Sequence, residues 1–327
     1  MRNIGIIGTG FYVPAKTLTN KDISKFLDTD DEWIYNKVGI KERRIASDHE
    51  ATSDLAIYAA QNALFNAGLN PLDVDLIVLA TSSPDMIQPS TAAIVQGKIG
   101  ARNAAAFDIS AVCAGSVYAI TVAENMMRAN PKYKNVLVIG SETYSRILDW
   151  TDRNTAVFFG DGAGALVLSD VSEQYGIKNT FIMNDGRGAS VIQFQGGGSR
   201  YPATKDTLER KLHRFEMQGK LVWDFATKIF PEAIRKVTEE INKKIEDIDL
   251  IISHQANINI IKKGLNELNL DMSKTFTNIE KYANTSGASI FIALAEANEK
   301  GLLKKGSNVC LVAFGGGLSY GAIYLIW

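Results

Sequence analysis

Pro71-Leu-Asp-Val-Asp-Leu-Ile-Val78 returns in the second half of the chain as Ile245-Glu-Asp-Ile-Asp-Leu-Ile-Ile252, in each case after a helical stretch. A second pair follows at nearly the same offset: Asn135-Val-Leu-Val-Ile-Gly140 is echoed by Asn308-Val-Cys-Leu-Val-Ala313. Continuous Val/Ile/Leu runs of this length read as strands buried on both faces. Recurrence at a long fixed spacing marks a duplicated unit. The pattern predicts two α/β halves, residues 1–172 and 173–327, whose equivalent turns meet at the centre. At that offset Cys113 falls on Thr285-Ser-Gly-Ala-Ser289, a turn that again opens an Ala-rich helix.

The stretch Asp108-Ile-Ser-Ala-Val-Cys113-Ala-Gly-Ser-Val117 lies between the first two strands of the pattern. Asp108 to Val112 reads as a strand end and Gly115 to Met127 as a helix with an apolar stripe. Cys113 is thus expected at a strand-to-helix turn, where unpaired N–H groups and the positive helix end favour a thiolate. Such a site can pull a thiol pKa below its free value of ~8.5. The small neighbours Ala111, Ala114 and Gly115 admit a ligand. A buried structural cysteine is the competing reading.

Elsewhere strands and helices alternate, as in a layered α/β protein. Ile4 to Thr9 reads as a strand ending in Gly8-Thr-Gly10, which lacks the third glycine of a dinucleotide fingerprint and is followed by Pro14. Asn20 is expected to cap a helix through Phe26, and a second helix begins near Glu32-Trp33-Ile34. Trp33, Lys37, Lys41, Arg43 and Arg44 make either a solvated helix face or a nucleotide-handling surface. Ser53 to Ala67 and Thr91 to Ile99 read as helices, Ala163 to Ser169 as a strand and Thr151-Asp-Arg-Asn-Thr155 as a polar loop. The Gly-rich segment 184–201 and the charged segment 205–214 read as a connection or flap over a site.

With 327 residues, 46% hydrophobic, 22% charged and a net charge of −1, the composition is that of an ordinary soluble globular protein. So small a net charge argues against a nucleic-acid binder that works by phosphate neutralisation. Strand-length apolar runs argue against a membrane span, and the N-terminus lacks the regions of a signal peptide. Two cysteines make no disulfide framework and fit a cytoplasmic location. His49, His213 and His254 show no metal-ligand spacing, so no metal is expected.

In the second half, three polar clusters sit at the ends of apolar elements. They are Ser253-His254-Gln-Ala-Asn257, Tyr282-Ala-Asn284-Thr-Ser-Gly287 and Ala313-Phe-Gly-Gly-Gly317. Each can be structural by itself; the duplication brings all three toward Cys113. With Asp31-Glu-Trp-Ile34, Gly39-Ile-Lys-Glu-Arg-Arg44, Cys113-Ala-Gly115, Thr151-Asp-Arg153 and Phe159-Gly-Asp-Gly-Ala-Gly164, they span nearly the whole chain. The sequence resembles the β-ketoacyl-acyl-carrier-protein synthase III family of condensing enzymes.

The resemblance implies a thiolase-like α/β fold, in which duplicated α/β halves form a layered α-β-α-β-α core, and a homodimer. It implies decarboxylative condensation of an acyl-CoA primer with malonyl-acyl carrier protein (or malonyl-CoA), initiating fatty-acid synthesis. Catalysis maps onto Cys113, His254 and Asn284, and the oxyanion hole onto the N–H groups of Cys113 and Gly316. Trp33, Lys37 and Arg153 map onto coenzyme A binding, with Lys37 where an arginine is usual. Coenzyme A enters as thioester substrate, and no cofactor is implied. Asp161 and Gly162 are expected to build the turn beneath the site. Asp224 and Asn259 replace basic residues of the carrier-protein docking patch, where Lys220, Lys262 and Lys263 compensate. Gln88 stands where an apolar residue usually reaches the partner's acyl pocket. These departures leave open a specialised relative of secondary metabolism with a non-acetyl primer or CoA-bound extender. A thiolase needs a second catalytic cysteine, and Cys310 lies within an apolar strand. A non-catalytic thioester binder requires an inert Cys113.

Overall fold

The computed structural model describes residues 2–327. The two repeats fold alike down to single hydrogen bonds. A 3₁₀ turn precedes a buried parallel strand in both: Pro71–Asp73 before Leu76–Ala80, and Ile245–Asp247 before Leu250–Ser253. Asp75 N–H donates to Asn135 O at 2.9 Å and its carboxylate accepts from Asn135 N–H at 2.9 Å. Asp249 does the same with Asn308, at 2.9 and 2.8 Å. The acidic residue of each repeat thus sets the register of the strand that follows.

One sheet has five strands in the order Ile4–Tyr12, Gly162–Asp170, Val136–Glu142, Leu76–Ala80, Ala105–Ile109. The other has four: Leu250–Ser253, Asn308–Gly315, Ser319–Ile326, Gly176–Asn184. In each, the repeat strands are parallel; Ala105–Ile109 joins the first sheet parallel to Leu76–Ala80, and the remaining strands are antiparallel. Period-two alternation then sorts side chains into layers. Leu76 and Val78 face a central core with Ile120, Met127, Phe291 and Leu294, whereas Ile77 and Leu79 face the outer helices Thr52–Ala67 and Thr91–Ile99. On the far side, Ile251 and Val312 pack under Gly219–Glu239 and Ile258–Glu267. The central layer is Gly115–Ala129 with Ser289–Glu299, and in the latter every residue from Ser289 to Ala297 is buried. The result is the expected α-β-α-β-α order.

Gly8 and Gly10 serve packing: a Cβ at either would fall within 2.5 Å of the backbone of Ala63 in the outer helix. Thr19, not Asn20, caps the first helix, which is only Asn20–Ile23. Asn20 instead donates to Ile40 O and Asp31 and accepts from Arg43. Arg43 is fully buried, donating also to Leu18 O and Val157 O, so it leaves the cationic face read from the sequence. Residues 151–155 are not all loop: Asp152 caps a short helix, Arg153–Ala156. The flap segment contributes Ile192–Phe194, which pairs with Phe215–Met217 just beyond its end.

Candidate active site

The turn that carries Cys113 and its counterpart in the second half are built alike. Cys113 sits in the 3₁₀ turn Val112–Ala114 that leads into Gly115–Ala129, and Ser286–Ala288 is the matching turn before Ser289–Glu299. Each opens on left-handed backbone, Val112 at φ 48° and Ser286 at φ 46°. That conformation costs a side-chain-bearing residue ~1–2 kcal/mol, so the packing around it must hold it in place. The two turns touch, with Cys113 Sγ 3.5 Å from Ser286 Oγ. A Cβ at Gly315 would lie 2.8 Å from both Cys113 Cβ and Cys113 N. The end of Asn308–Gly315 is therefore pressed onto Cys113.

His254 directly follows Leu250–Ser253 and its N–H donates to Val312 O at 2.8 Å. Its Nδ1 pairs with Ser289 Oγ at 2.7 Å, and its ring meets Phe314 edge-on. Burial, with no charged partner to offset it, pushes this imidazole down to about 3, so it is neutral at working pH. Asn284 is tied to the first half through Phe158 O and Gly160 N–H. Its Oδ1 accepts from Ser286 N–H at 2.8 Å. A backbone N–H must meet an acceptor, so this bond fixes the amide and leaves its NH₂ as the available donor.

Cys113, His254 and Asn284 line one cavity of about 630 Å³. Apolar walls come from Phe158, Phe159 and the ribbon residues Ile192, Phe215 and Met217; of the segment read as a flap only Ile192 reaches the cavity, and the rest of the ribbon wall lies just past it. Trp33 and the exposed Lys37 and Lys220 mark its open end. The thiol corrects one expectation. Burial pushes Cys113 up to about 12, the Glu142 carboxylate acts in the same direction, and the Ser286 hydroxyl opposes them. The helix entry is present, but the residue is 6% exposed and desolvation outweighs it.

The family model for 3-oxoacyl-[acyl-carrier-protein] synthase III matches residues 107–186, and its C-terminal counterpart matches residues 238–327. β-Ketoacyl-[acyl-carrier-protein] synthase III of Caldanaerobacter subterraneus is 49% identical, covering 99% of this chain and 97% of the relative. The synthase III of Clostridioides difficile is 50% identical over 99% of this chain and 98% of its own length. The chain belongs to the β-ketoacyl-[acyl-carrier-protein] synthase III family. The crystal structure of the Aquifex aeolicus synthase III superposes with a TM-score of 0.91 at 42% identity, covering 99% of this chain and 100% of that one.

Among the positions that the synthase III resemblance assigns to coenzyme A, Arg153 lies over the Trp33 ring at 5.2 Å and donates to Asp28 O at 2.7 Å. Lys37 lines the cavity, and its carbonyl accepts from the Asn257 and Asn259 side chains. Asn259 thus joins the start of Ile258–Glu267 to the end of Asp31–Val38. Lys220 is paired with Asp224 at 3.1 Å, while Lys262 and Lys263 are exposed, the latter over Trp223. Gly316 does not line the cavity; a Cβ there would meet Ile192 and Val112 at 3.3 Å. Gln88 is exposed beside Ile87, itself 80% exposed, and lies apart from the cavity of its own chain. Asp161 is buried and accepts from Ala46 N–H and from the N–H and hydroxyl of Ser145, which makes it part of the turn. Sequence reasoning missed Ser286, Ser289 and Glu142. The available signal was an acid directly ending a buried strand, at the end where α/β sheets place their sites.

Proposed function

We propose that this chain condenses an acyl-CoA primer with malonyl-acyl carrier protein, giving a 3-oxoacyl thioester, CO₂ and free coenzyme A. The carrying observation is that Cys113 from one half and His254 and Asn284 from the other line a single cavity. The Cys113 sulfur bonds to the acyl carbonyl carbon, the bond to the coenzyme A sulfur breaks, and the acyl group stays on the protein. The N–H of Cys113 holds the developing oxyanion. Malonyl thioester then loses CO₂. The enolate left behind takes hydrogen bonds from the neutral imidazole and the Asn284 amide, strongest as charge develops. Its carbon attacks the acyl-cysteine carbonyl and expels the Cys113 thiolate.

The same reading places adenine between Trp33 and Arg153, which needs about 7 Å between ring and guanidinium, two van der Waals contacts. Arg153 must therefore swing from its 5.2 Å seat as coenzyme A enters. Carrier protein, acidic by this reading, meets Lys262 and Lys263, with Lys220 partly neutralised by Asp224. The exposed Met86 and Ile87 beside Gln88 are read as the contact with a second copy, and sedimentation gives the subunit count.

Intact mass after mixing with a panel of acyl-CoAs tests the first stage. Cys113→Ser is expected to take no acyl group. Asn284→Ala is expected to acylate normally but to decarboxylate malonyl-carrier protein about 10²-fold more slowly. Full condensation by Asn284→Ala removes the role given to that amide. Replacing the carrier protein with coenzyme A in the malonyl donor identifies the second substrate.

A further inference from the structure

Ser289 is buried at the first position of Ser289–Glu299. Its Oγ has two hydrogen-bonding neighbours among the described residues, Gln255 N–H at 3.3 Å and His254 Nδ1 at 2.7 Å. A peptide N–H can only donate, so the first bond occupies a lone pair of the oxygen. The hydroxyl proton is then left with one acceptor, the lone pair of Nδ1. Were Nδ1 itself protonated, the oxygen would accept twice and its own proton would be buried without a partner, which native interiors avoid. The hydroxyl therefore donates to the ring.

The duplication offers a comparison within the same chain. Leu76 and Leu250 begin equivalent strands, and Gly115 and Ser289 begin equivalent helices, at one and the same offset. The left-handed residues Val112 and Ser286 share that offset too. It makes Ala80 the counterpart of His254 and Gly115 the counterpart of Ser289. In the first half this contact is apolar and tight: a Cβ on Gly115 would meet Ala80 Cβ at 3.0 Å. In the second half the same contact of strand end and helix start is a hydroxyl on an imidazole. Packing of the two layers does not require the polar pair, since the first half closes without one.

We propose that Ser289 is a positioning residue that fixes His254 as the Nε2–H tautomer, so that the imidazole meets the malonyl thioester as a hydrogen-bond donor. His254 lines the cavity, and with Nδ1 engaged its remaining ring nitrogen is Nε2, which bonds to nothing among the described residues. A carboxylate at Nδ1 can only accept. It would keep the proton on Nδ1, leave Nε2 with a bare lone pair and raise the basicity of the ring, the arrangement of a general base. A hydroxyl that donates to Nδ1 produces the opposite ring, one that gives a hydrogen bond to the enolate oxygen as CO₂ leaves. Gln255 N–H completes the device by filling the oxygen from the other side and turning its proton toward the ring. No proton is transferred in this role.

The inference rests on the condensing role given above, and two readouts keep the two apart. The first is nitrogen NMR of the full chain labelled in histidine, with H254N identifying the signals of that ring. Wild type is expected to show a protonated Nε2 and a bare Nδ1 at neutral pH; a protonated Nδ1 overturns the proposal. S289A is expected to populate both tautomers, and S289T to restore the wild-type spectrum. The second readout times acylation at Cys113 by intact mass and decarboxylation of malonyl-carrier protein by released CO₂. S289A is expected to lower decarboxylation about tenfold relative to acylation, through kcat with KM unchanged, and S289T to recover most of the loss. A merely structural serine would lower both rates together or leave the tautomer as it was, and either result overturns the proposal. If S289A does not fold, the wild-type spectrum still decides. Failure of wild type to acylate at Cys113 or to decarboxylate the malonyl donor overturns the condensing-enzyme reading instead.

Discussion

Burial keeps the His254 imidazole neutral, which suits hydrogen-bond donation to an enolate and exacts a cost in acid. The group titrates near 6.5 when unfolded and about 3 when folded. Between those values the unfolded chain binds the extra proton, so stability is full above 6.5 and is lost as pH falls toward 3. Over that window the loss is about 4 kcal/mol. Thermal melts of wild type and His254→Asn are expected to converge or cross on acidification, the variant falling less steeply. Parallel curves would show that the imidazole is solvated. His254 and Asn284 were legible because a polar side chain ending an apolar run asks for a reason. Glu142 also ends an apolar run and carried the same signal, whereas Ser286 and Ser289 gave none, since serines are common at turns. Their chemistry comes from what they touch.

At the scale of elements, the strand Asn308–Gly315 and the turn Val112–Ala114 meet with no room for a side chain. Gly315→Ala drives a methyl into Cys113, so the turn or the strand end must shift. The expected loss is about 1–3 kcal/mol in stability, with at least tenfold slower acylation as the sulfur leaves its place. Chemical denaturation and timed mass spectra check the two effects separately. Most elements were readable from period and breakers, Thr91–Ile99 to the residue. The mistakes were local competitions. Thr19, with Asp22 completing a capping box, took the cap expected of Asn20. Arg43, counted among surface cations, is buried where three oxygens receive its guanidinium. No periodicity in a four-residue strand announces that.

Across the whole molecule, Phe291 joins the halves: it belongs to the second-half helix Ser289–Glu299 and fills space over Gly140 and Gly164 of the first-half sheet. Phe291→Ala is expected to cost about 3–5 kcal/mol. Because the same helix begins at Ser289, the partner of His254, decarboxylation should fall even in the fraction that remains folded. Urea unfolding with activity measured in parallel decides this; unchanged activity per folded molecule would mean that the two halves tolerate displacement.

What the sequence by itself determined is the duplication, the layered α/β order and the choice of Cys113, His254 and Asn284 as the candidate reacting side chains. Buried strands have to be apolar along their whole length, and a repeated unit repeats its strands, so both facts are written in residue order. The state of those side chains was decided only by tertiary structure. Helix entry alone argued for a thiolate at Cys113, but its desolvation depends on walls drawn from both halves, among them the flap ribbon.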